Sequence, residues 1–432
     1  MNVCIFGLGR IGLPISLVCA DSGMRVIGID INKTLISELK DGKTSFDEPG
    51  MQRLLDDTLG STFFPKDQND YITDDLKRAE YIMLAVGTGF AKYPQVPDLS
   101  ILYSIIDQLV ETGIRGKTLI LRVTLPIGTS ERVISRIEAK TGFLEGKDFW
   151  FAFVPERIME GIAVKEESSL PKIIGACSDQ GFEKVKRFFE KVGGDIVRVK
   201  DPRTAEFIKL IDNSWRNTRF AYANELAYLA EDIGVDVTEA IRCANRGYER
   251  NEIPQPGPVS GYCLGKDPYL LEIAFENIAE KRGFNSMWYY GRLANDWLIE
   301  KVVEEVKGER ILVVGLSFKA NIDDYRYSHS IELVRSLLSR GYDVGVCDPY
   351  LGQNTYTSLP DDISGRVKIY HSLATAGFDT VIFSTNHNEY VEMMPGDMLK
   401  GVKVIDLWNL YPDLKDSPEF EYAGLGNLQT DG

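Results

Sequence analysis

Hydrophobic positions along this chain fall into two regimes. Asn2–Phe6 is a short apolar run, and Leu13–Ser22 spaces its apolar residues at the helical period. Met24–Ile29 is a second run, ending at Asp30. Tyr81–Val86, Lys117–Val123, Phe149–Val154 and Lys172–Ile174 are further strand candidates. Continuous apolar strands alternating with helical segments predict a parallel sheet covered on both faces. From Thr204 to Gly234 there is no Pro, and apolar residues recur at helical spacing, which predicts one long helix. Arg250–Pro258 reads as a loop, broken by Pro254, Pro256, Gly257 and Pro258. Strand character returns at Arg310–Gly315, Asp343–Cys347, Val381–Ser384 and Lys403–Ile405, with a helix over Ser330–Ser339. Beyond Tyr411 the pattern predicts an irregular tail.

The fold class read from this alternation is α/β. Two Rossmann-like doubly wound domains are joined by a central helical segment. The expected boundaries are 1–195 for a dinucleotide-binding domain, 196–300 for a central helical domain with a cysteine loop, and 301–432 for a second nucleotide-type domain.

Composition narrows the function classes. A chain of 432 residues is too long for one ordinary core. A formal charge of −15 argues against a nucleic-acid surface. No apolar run approaches the ~20 residues of a membrane helix, and the N-terminus lacks the basic region of a signal peptide. The cysteines at 4, 19, 177, 243, 263 and 347 form no C-x-x-C pair, so neither a metal site nor a disulfide framework is signalled. Reduced thiols point to the cytoplasm. The histidines, His329, His371 and His387, all lie beyond residue 320, which argues against a His-based triad at Cys263.

Gly7-Leu8-Gly9-Arg10-Ile11-Gly12 stands between the first strand and the first helix. Gly7 permits the tight turn, Gly9 lets backbone approach a pyrophosphate, and Gly12 allows close helix–strand packing. Asp30 is placed to accept from a ribose 2′-hydroxyl and would repel a 2′-phosphate, so NAD is expected over NADP. Gly87-Thr88-Gly89, Thr124–Thr129 and Pro155–Gly161 follow later strands, where an open parallel sheet meets its ligands. Glu156 and Glu160, taken alone, read as solvated loop charge. Gly315–Lys319 lacks the three-glycine fingerprint, so the second nucleotide-type domain is expected to bind something other than a dinucleotide. Lys319, Asp323, Asp324 and Arg326 crowd its first loop, which on charge alone reads as solvated.

Two further features carry chemistry. Lys209, Asn213 and Asn217 share one helix face at i, i+4 and i+8. Alone that is a wet stripe; beside a reactive cysteine it is an oxyanion site. Cys263 sits in Gly261-Tyr262-Cys263-Leu264-Gly265-Lys266-Asp267-Pro268, between the two nucleotide-type domains. An arbitrary cysteine is more often a buried structural one. The polar, loop-like neighbours suggest instead a nucleophile that attacks a carbonyl.

Taken together, these blocks resemble the UDP-glucose/GDP-mannose dehydrogenase superfamily. The matching markers are Gly7 to Pro14, Asp47-Glu48-Pro49-Gly50, Pro155-Glu156-Arg157 with Glu160-Gly161, Lys209 with Asn213, Asn224-Glu225, Cys263 with Asp267-Pro268, Gly315 with Lys319, Asp324 with Arg326 and Ser328, and Asp348-Pro349. The resemblance covers residues 1 to about 410. It implies oxidation of a nucleotide sugar's C6 alcohol to the carboxylate with two NAD. The family's nucleophile falls on Cys263, the groups holding the C6 oxygen on Lys209 and Asn213, and the carboxylate beside the thiol on Asp267. Thr124 and Glu160 match positions that hold catalytic water and substrate. The cofactor positions implied are Gly7, Gly9, Arg10, Ile11, Gly12, Asp30, Gly87, Thr88 and Thr124. Those for substrate are Glu156, Arg157, Glu160, Lys209, Asn213, Arg250, Gly261, Lys319 and Arg326.

The chain departs from the family at Pro258 and Ser260, where glycine is usual, and at Tyr262, Gly265 and Gly87-Thr88-Gly89. The run before the cysteine is also one residue short. These changes bear on loop geometry and substrate fit. Residues 156–161, 170–175 and 250–257 look most like the UDP-N-acetylhexosamine branch, with UDP-glucose second and GDP-mannose third. The resemblance also implies a homodimer through the long helix, with Arg250 reaching the neighbouring sugar site. From other classes, a non-catalytic nucleotide-sugar sensor would need no thiol, and a simple alcohol dehydrogenase would yield one NADH per sugar.

Overall fold

Residues 1–68, 73–91, 96–393 and 396–426 are described by a computed structural model. They divide into two compact units. The first holds Met1–Asp212 and Tyr269–Ala274; the second holds Asn213–Pro268 and the chain from Phe275 onward.

The first unit is built on eight strands: β1 (Asn2–Phe6), β2 (Arg25–Asp30), β3 (Phe63–Asp67), β4 (Tyr81–Leu84), β5 (Thr118–Leu121), β6 (Trp150–Phe153), β7 (Lys172–Ala176) and β8 (Ile196–Val199). Their order is β8-β7-β6-β5-β4-β1-β2-β3. Pairing is parallel except between β6 and β7, where Ala152 faces Ala176. The central strands are buried on both faces, as their apolar runs require. The order reverses between β1 and β4, which opens a crevice at the strand carboxyl ends. Helix α1 (Gly12–Asp21) starts at that crevice. A Cβ on Gly12 would lie 1.7 Å from the Gly7 carbonyl oxygen, so only glycine lets α1 start this close to β1.

Helix α2 (Pro202–Ile233) runs from the first unit into the second. In the second unit a six-stranded parallel sheet repeats the same winding. Its strands are β9 (Arg310–Val314), β10 (Asp343–Cys347), β11 (Lys368–Tyr370), β12 (Thr380–Phe383), β13 (Lys403–Asp406) and β14 (Glu421–Gly424), in the order β11-β10-β9-β12-β13-β14. Ala223, Ala227 and Ala230 of α2 share one buried core with Ile311 and Val313 of β9. Leu298 and Val302 of helix α5 (Met287–Glu304) complete it. Between α2 and α5 lie the one-turn helix α3 (Gly261–Leu264) and helix α4 (Asp267–Arg282).

The irregular tail expected beyond Tyr411 is corrected in part. Glu421–Gly424 pairs with Lys403–Asp406 as the outer strand of the second sheet. The rest of that tail, 427–432, lies outside the described residues.

Candidate active site

The glycine-rich turn forms a cleft of about 220 Å³ lined by Gly7, Gly9, Asp30, Ile31, Gly87 and Ile101, among others. Gly7 has φ +89°, and a Cβ there would meet the Ala85 carbonyl oxygen at 2.7 Å. Asp30 is fixed at the cleft by two backbone donors: Leu8 N–H to Oδ2 at 2.8 Å and Asn32 N–H to Oδ1 at 2.8 Å. A carboxylate has about four acceptor positions, so each oxygen keeps capacity for a ribose hydroxyl. Ile11 stands half-buried just before α1. The Thr88 hydroxyl donates to the Thr124 carbonyl at 2.5 Å, joining the two loops behind the cleft. These residues fit a dinucleotide: a cradle only glycine can form, a helix N-terminus and a ribose acceptor.

The loop after β6 is not solvated charge. Glu156 is buried, and desolvation pushes its carboxyl above the ordinary range, although Lys209 and Arg122 oppose the shift. The Glu156 Oε1 accepts from the Ile158 N–H. Lys209, on α2, donates to the Glu156 carbonyl at 2.5 Å and stands 3.7 Å from its Oε2. Arg10 lies 3.8 Å from Glu160 Oε2 and 4.5 Å over the Phe46 ring. Arg157 pairs with Asp212 at 3.0 Å.

Two acids that the sequence reading gave no role hold these loops. Glu48 accepts from Gly161 N–H at 2.8 Å and Ala163 N–H at 2.7 Å. Glu206 accepts from Gly128 N–H at 2.6 Å and from Ser130 N–H and Oγ at 2.7 Å. Glu48 belongs to the Asp47-Glu48-Pro49-Gly50 stretch that carries the family resemblance, so a signal exists. Glu206 carried none, because its partners are more than seventy positions away.

The second unit carries the thiol. Gly261 has φ +93°, and a Cβ there would sit 2.5 Å from the Phe318 ring; its N–H donates to the Tyr327 carbonyl at 2.9 Å. Only glycine can start α3 here. Cys263 is half-buried on that turn. Asn213 Nδ2 donates to Asp267 Oδ2 at 2.6 Å. Lys266, absent from the expected site, is 1% exposed and donates to Asp267 Oδ1 at 2.7 Å. Burial opposes its charge, but Asp267, Tyr262 and the Cys263 thiol outweigh that and hold the ammonium above its ordinary range.

Lys209, Asn213 and Asn217 are therefore buried polar groups, not a wet stripe. Asp323 and Asp324 are buried as well, so their loop is not solvated charge. Arg326 grips both oxygens of Asp324 and lies 4.5 Å over Tyr356 and 5.4 Å over Tyr262. Lys319 is half-buried on the same loop. Arg250 is not in this group. It is exposed, packs over Tyr248 and lines a cleft of about 790 Å³ with Trp215, Tyr222, Met287 and Tyr290.

Comparison with known proteins finds a single family along most of the chain. The NAD binding domain of the UDP-glucose/GDP-mannose dehydrogenase family matches residues 1–193. That family's central domain matches residues 203–289, and its UDP binding domain residues 312–413. UDP-N-acetyl-D-mannosamine dehydrogenase of Pyrococcus horikoshii is 31% identical, over 99% of each chain. NDP-N-acetyl-D-galactosaminuronic acid dehydrogenase of Ralstonia nicotianae is 30% identical, over 94% of this chain and 95% of its own. A solved UDP-D-ManNAc dehydrogenase from Pyrococcus horikoshii superposes with a TM-score of 0.85 at 31% identity, covering both chains fully.

Proposed function

The chain belongs to the UDP-glucose/GDP-mannose dehydrogenase family, and from that premise we propose that it oxidises a UDP-N-acetylhexosamine to the uronate through a thioester on Cys263. It is an NAD-dependent UDP-sugar dehydrogenase, an oxidoreductase. Gly7, Gly9, Arg10, Gly12 and Asp30 would hold NAD, which when bound would supply the hydride acceptor, one molecule for each of the two oxidations.

The chain's own residues supply the rest. Loss of hydride from C6, with release of the hydroxyl proton to solvent water, leaves an aldehyde. The Cys263 thiolate adds to its carbon, and the oxygen takes the electron pair as an oxyanion. Lys209 and Asn213 stabilise that charge. Loss of the second hydride from the adduct re-forms the C=O bond and leaves a thioester. Water held by Thr124 and Glu160 then attacks, the C–S bond breaks, and the thiolate returns with the acid as product. The buried Lys266 ammonium favours the thiolate each time it forms. Glu156, in its ionised form beside Lys209, would take the water's proton. Glu160, Arg157, Gly261, Lys319 and Arg326 are assigned to the UDP-sugar.

The observation that carries this reading is the set around Cys263: a buried Lys266–Asp267 pair with Asn213 bonded to its carboxylate. A satisfied core cysteine needs no such group. The N-acetylmannosamine form is the first choice of sugar, from the relatives' names, and the N-acetylgalactosamine form the second.

Among the described residues no helix is long and apolar enough to cross a membrane. We place the enzyme in the cytoplasm on its free thiols. Trp215, Tyr222, Met287, Tyr290 and Trp297 expose a broad apolar face on α2 and α5. We assign that face to a second copy, with Arg250 contributing to the neighbouring sugar site.

The test is NADH yield at 340 nm over a panel of UDP- and GDP-sugars. Two NADH per sugar are expected, with a UDP-N-acetylhexosamine preferred. One would point to a simple alcohol dehydrogenase, and none to a sensor.

A further inference from the structure

The proposed chemistry takes up two of the three polar residues on the α2 stripe and leaves Asn217 without a task. Asn217 is fully buried one turn beyond Asn213. Its Oδ1 accepts from Arg292 Nη1 at 3.1 Å and from Asn295 Nδ2 at 2.9 Å, both on α5. The two helices touch closely here. A Cβ on Gly291 would lie 3.2 Å from the Ala221 Cβ and 3.5 Å from Asn217 Nδ2.

Arg292 is 2% exposed. Besides Asn217 it donates to the Val259 carbonyl at 2.9 Å, to the Leu264 carbonyl at 3.3 Å and to Asp296 Oδ1 at 3.0 Å. Val259 and Leu264 bracket the single helical turn that carries Cys263. A helix of four residues has almost no cooperative stability of its own, and its terminal carbonyls lack internal partners. A planar guanidinium with five fixed donors can hold both ends of the turn at once, which a lysine ammonium cannot. Asn224 adds a third hold on the same loop, accepting from Gly257 N–H at 2.9 Å and donating to its carbonyl at 3.1 Å.

We propose that Arg292, oriented by Asn217, is a positioning residue that sets the register of the Cys263 turn against α2. Because Asn217 and Asn213 share a rigid helix, this fixes where the thiol stands relative to the group that holds the C6 oxygen. The inference rests on the reading of Cys263 as nucleophile. The step it controls is addition of the thiolate to the aldehyde carbon, and the first hydride transfer does not depend on it.

The test is Arg292→Lys in the full-length enzyme, with Asn217→Ala as a second variant should the first not fold. Displacement of a reacting group by about 1 Å costs on the order of 10²-fold, so kcat for acid formation should fall about 10- to 100-fold. KM for UDP-sugar and NAD should stay within about twofold, and the aldehyde should now be trapped by hydroxylamine. Asn217→Ala should show the same split more mildly. The double variant should fall short of the product of the two effects, since one contact path is being cut twice. Normal kcat with no trapped aldehyde in a folded variant of either residue would overturn the proposal. A rise in KM alone would do the same. Failure of the underlying reading looks different: Cys263→Ala would then still make acid, whatever Arg292 does.

Discussion

Asp30 and Asp348 are structural twins that part in one respect. Each closes the second strand of its own sheet. Each accepts at Oδ2 from a leucine N–H that follows a left-handed glycine: Leu8 after Gly7 at 2.8 Å, and Leu316 after Gly315 at 2.5 Å. Asp30 opens onto a cleft. Asp348 is buried and also receives the Tyr325 hydroxyl at 2.7 Å, His387 Nε2 at 3.2 Å and Tyr350 N–H at 2.9 Å. Burial works to raise its pKa, but His387, Leu316 and Tyr325 outweigh that and keep the carboxylate ionised below its ordinary range. The Asn321 N–H donates to His387 Nδ1 at 3.0 Å, which leaves the ring proton on Nε2. The second sheet thus has the turn of a dinucleotide site with its ribose acceptor already satisfied.

Each chain should therefore bind one NAD, measured as a stoichiometry near one by calorimetric titration. NAD should be preferred over NADP by at least ~1.4 kcal/mol, a tenfold ratio of kcat/KM, because Asp30 would face a 2′-phosphate. Asp30→Ala should narrow the ratio. Asp348→Asn should leave it unchanged while lowering Tm. Equal use of both cofactors by the wild type would refute the role given to Asp30.

Cys263→Ala should abolish net formation of the acid while leaving NAD affinity nearly unchanged. Cys263→Ser should accumulate an ester, detectable by intact-protein mass spectrometry, because an oxygen ester hydrolyses far more slowly than a thioester. Full uronate yield from the alanine variant would exclude the covalent route.

Lys209→Ala should lower kcat by about 10²-fold or more with a smaller change in KM, because the proposed role of the lost cation is to stabilise charge at the C6 oxygen. Asn213→Ala should show a milder form of the same defect. A structural role for Lys209 alone would instead lower Tm and spare kcat in the folded fraction.

Apart from the short antiparallel pair Gly89–Ala91 and Val96–Asp98, the strands that the sequence did not reveal share one property. Phe63–Asp67, Ile196–Val199, Lys368–Tyr370 and Glu421–Gly424 are the outer strands of the two sheets. Buried strands read as continuous apolar runs, whereas edge strands are short, partly polar and tolerant of residues such as Pro65. The groups proposed for the reaction were legible as candidates because motif spacing carries them within short blocks. Their supports were not: Arg292 meets Asn217 across 75 residues, and Glu206 meets Gly128 across 78. Such pairs leave no local pattern, and a lone buried Arg or Glu looks like surface charge until the chain is folded.

The last prediction concerns pH and the long helix. Glu231 lies on α2, and burial raises its carboxyl to about 7, against the opposing pull of Lys301 at 3.8 Å and with added repulsion from Glu305. The folded protein therefore keeps a proton that the unfolded chain releases near the ordinary carboxyl value of 4.5. A raised pKa contributes stability fully at low pH, and that contribution is lost as pH rises through the folded value. Wild-type Tm should fall between about pH 5 and pH 7 more steeply than that of Glu231→Gln, which cannot titrate; above about pH 8 the two slopes should run parallel. The check is a set of thermal melts by circular dichroism at half-unit pH intervals. Parallel Tm profiles over the whole range would show that Glu231 is ionised in the folded protein at neutral pH, and that Lys301 rather than burial governs its charge.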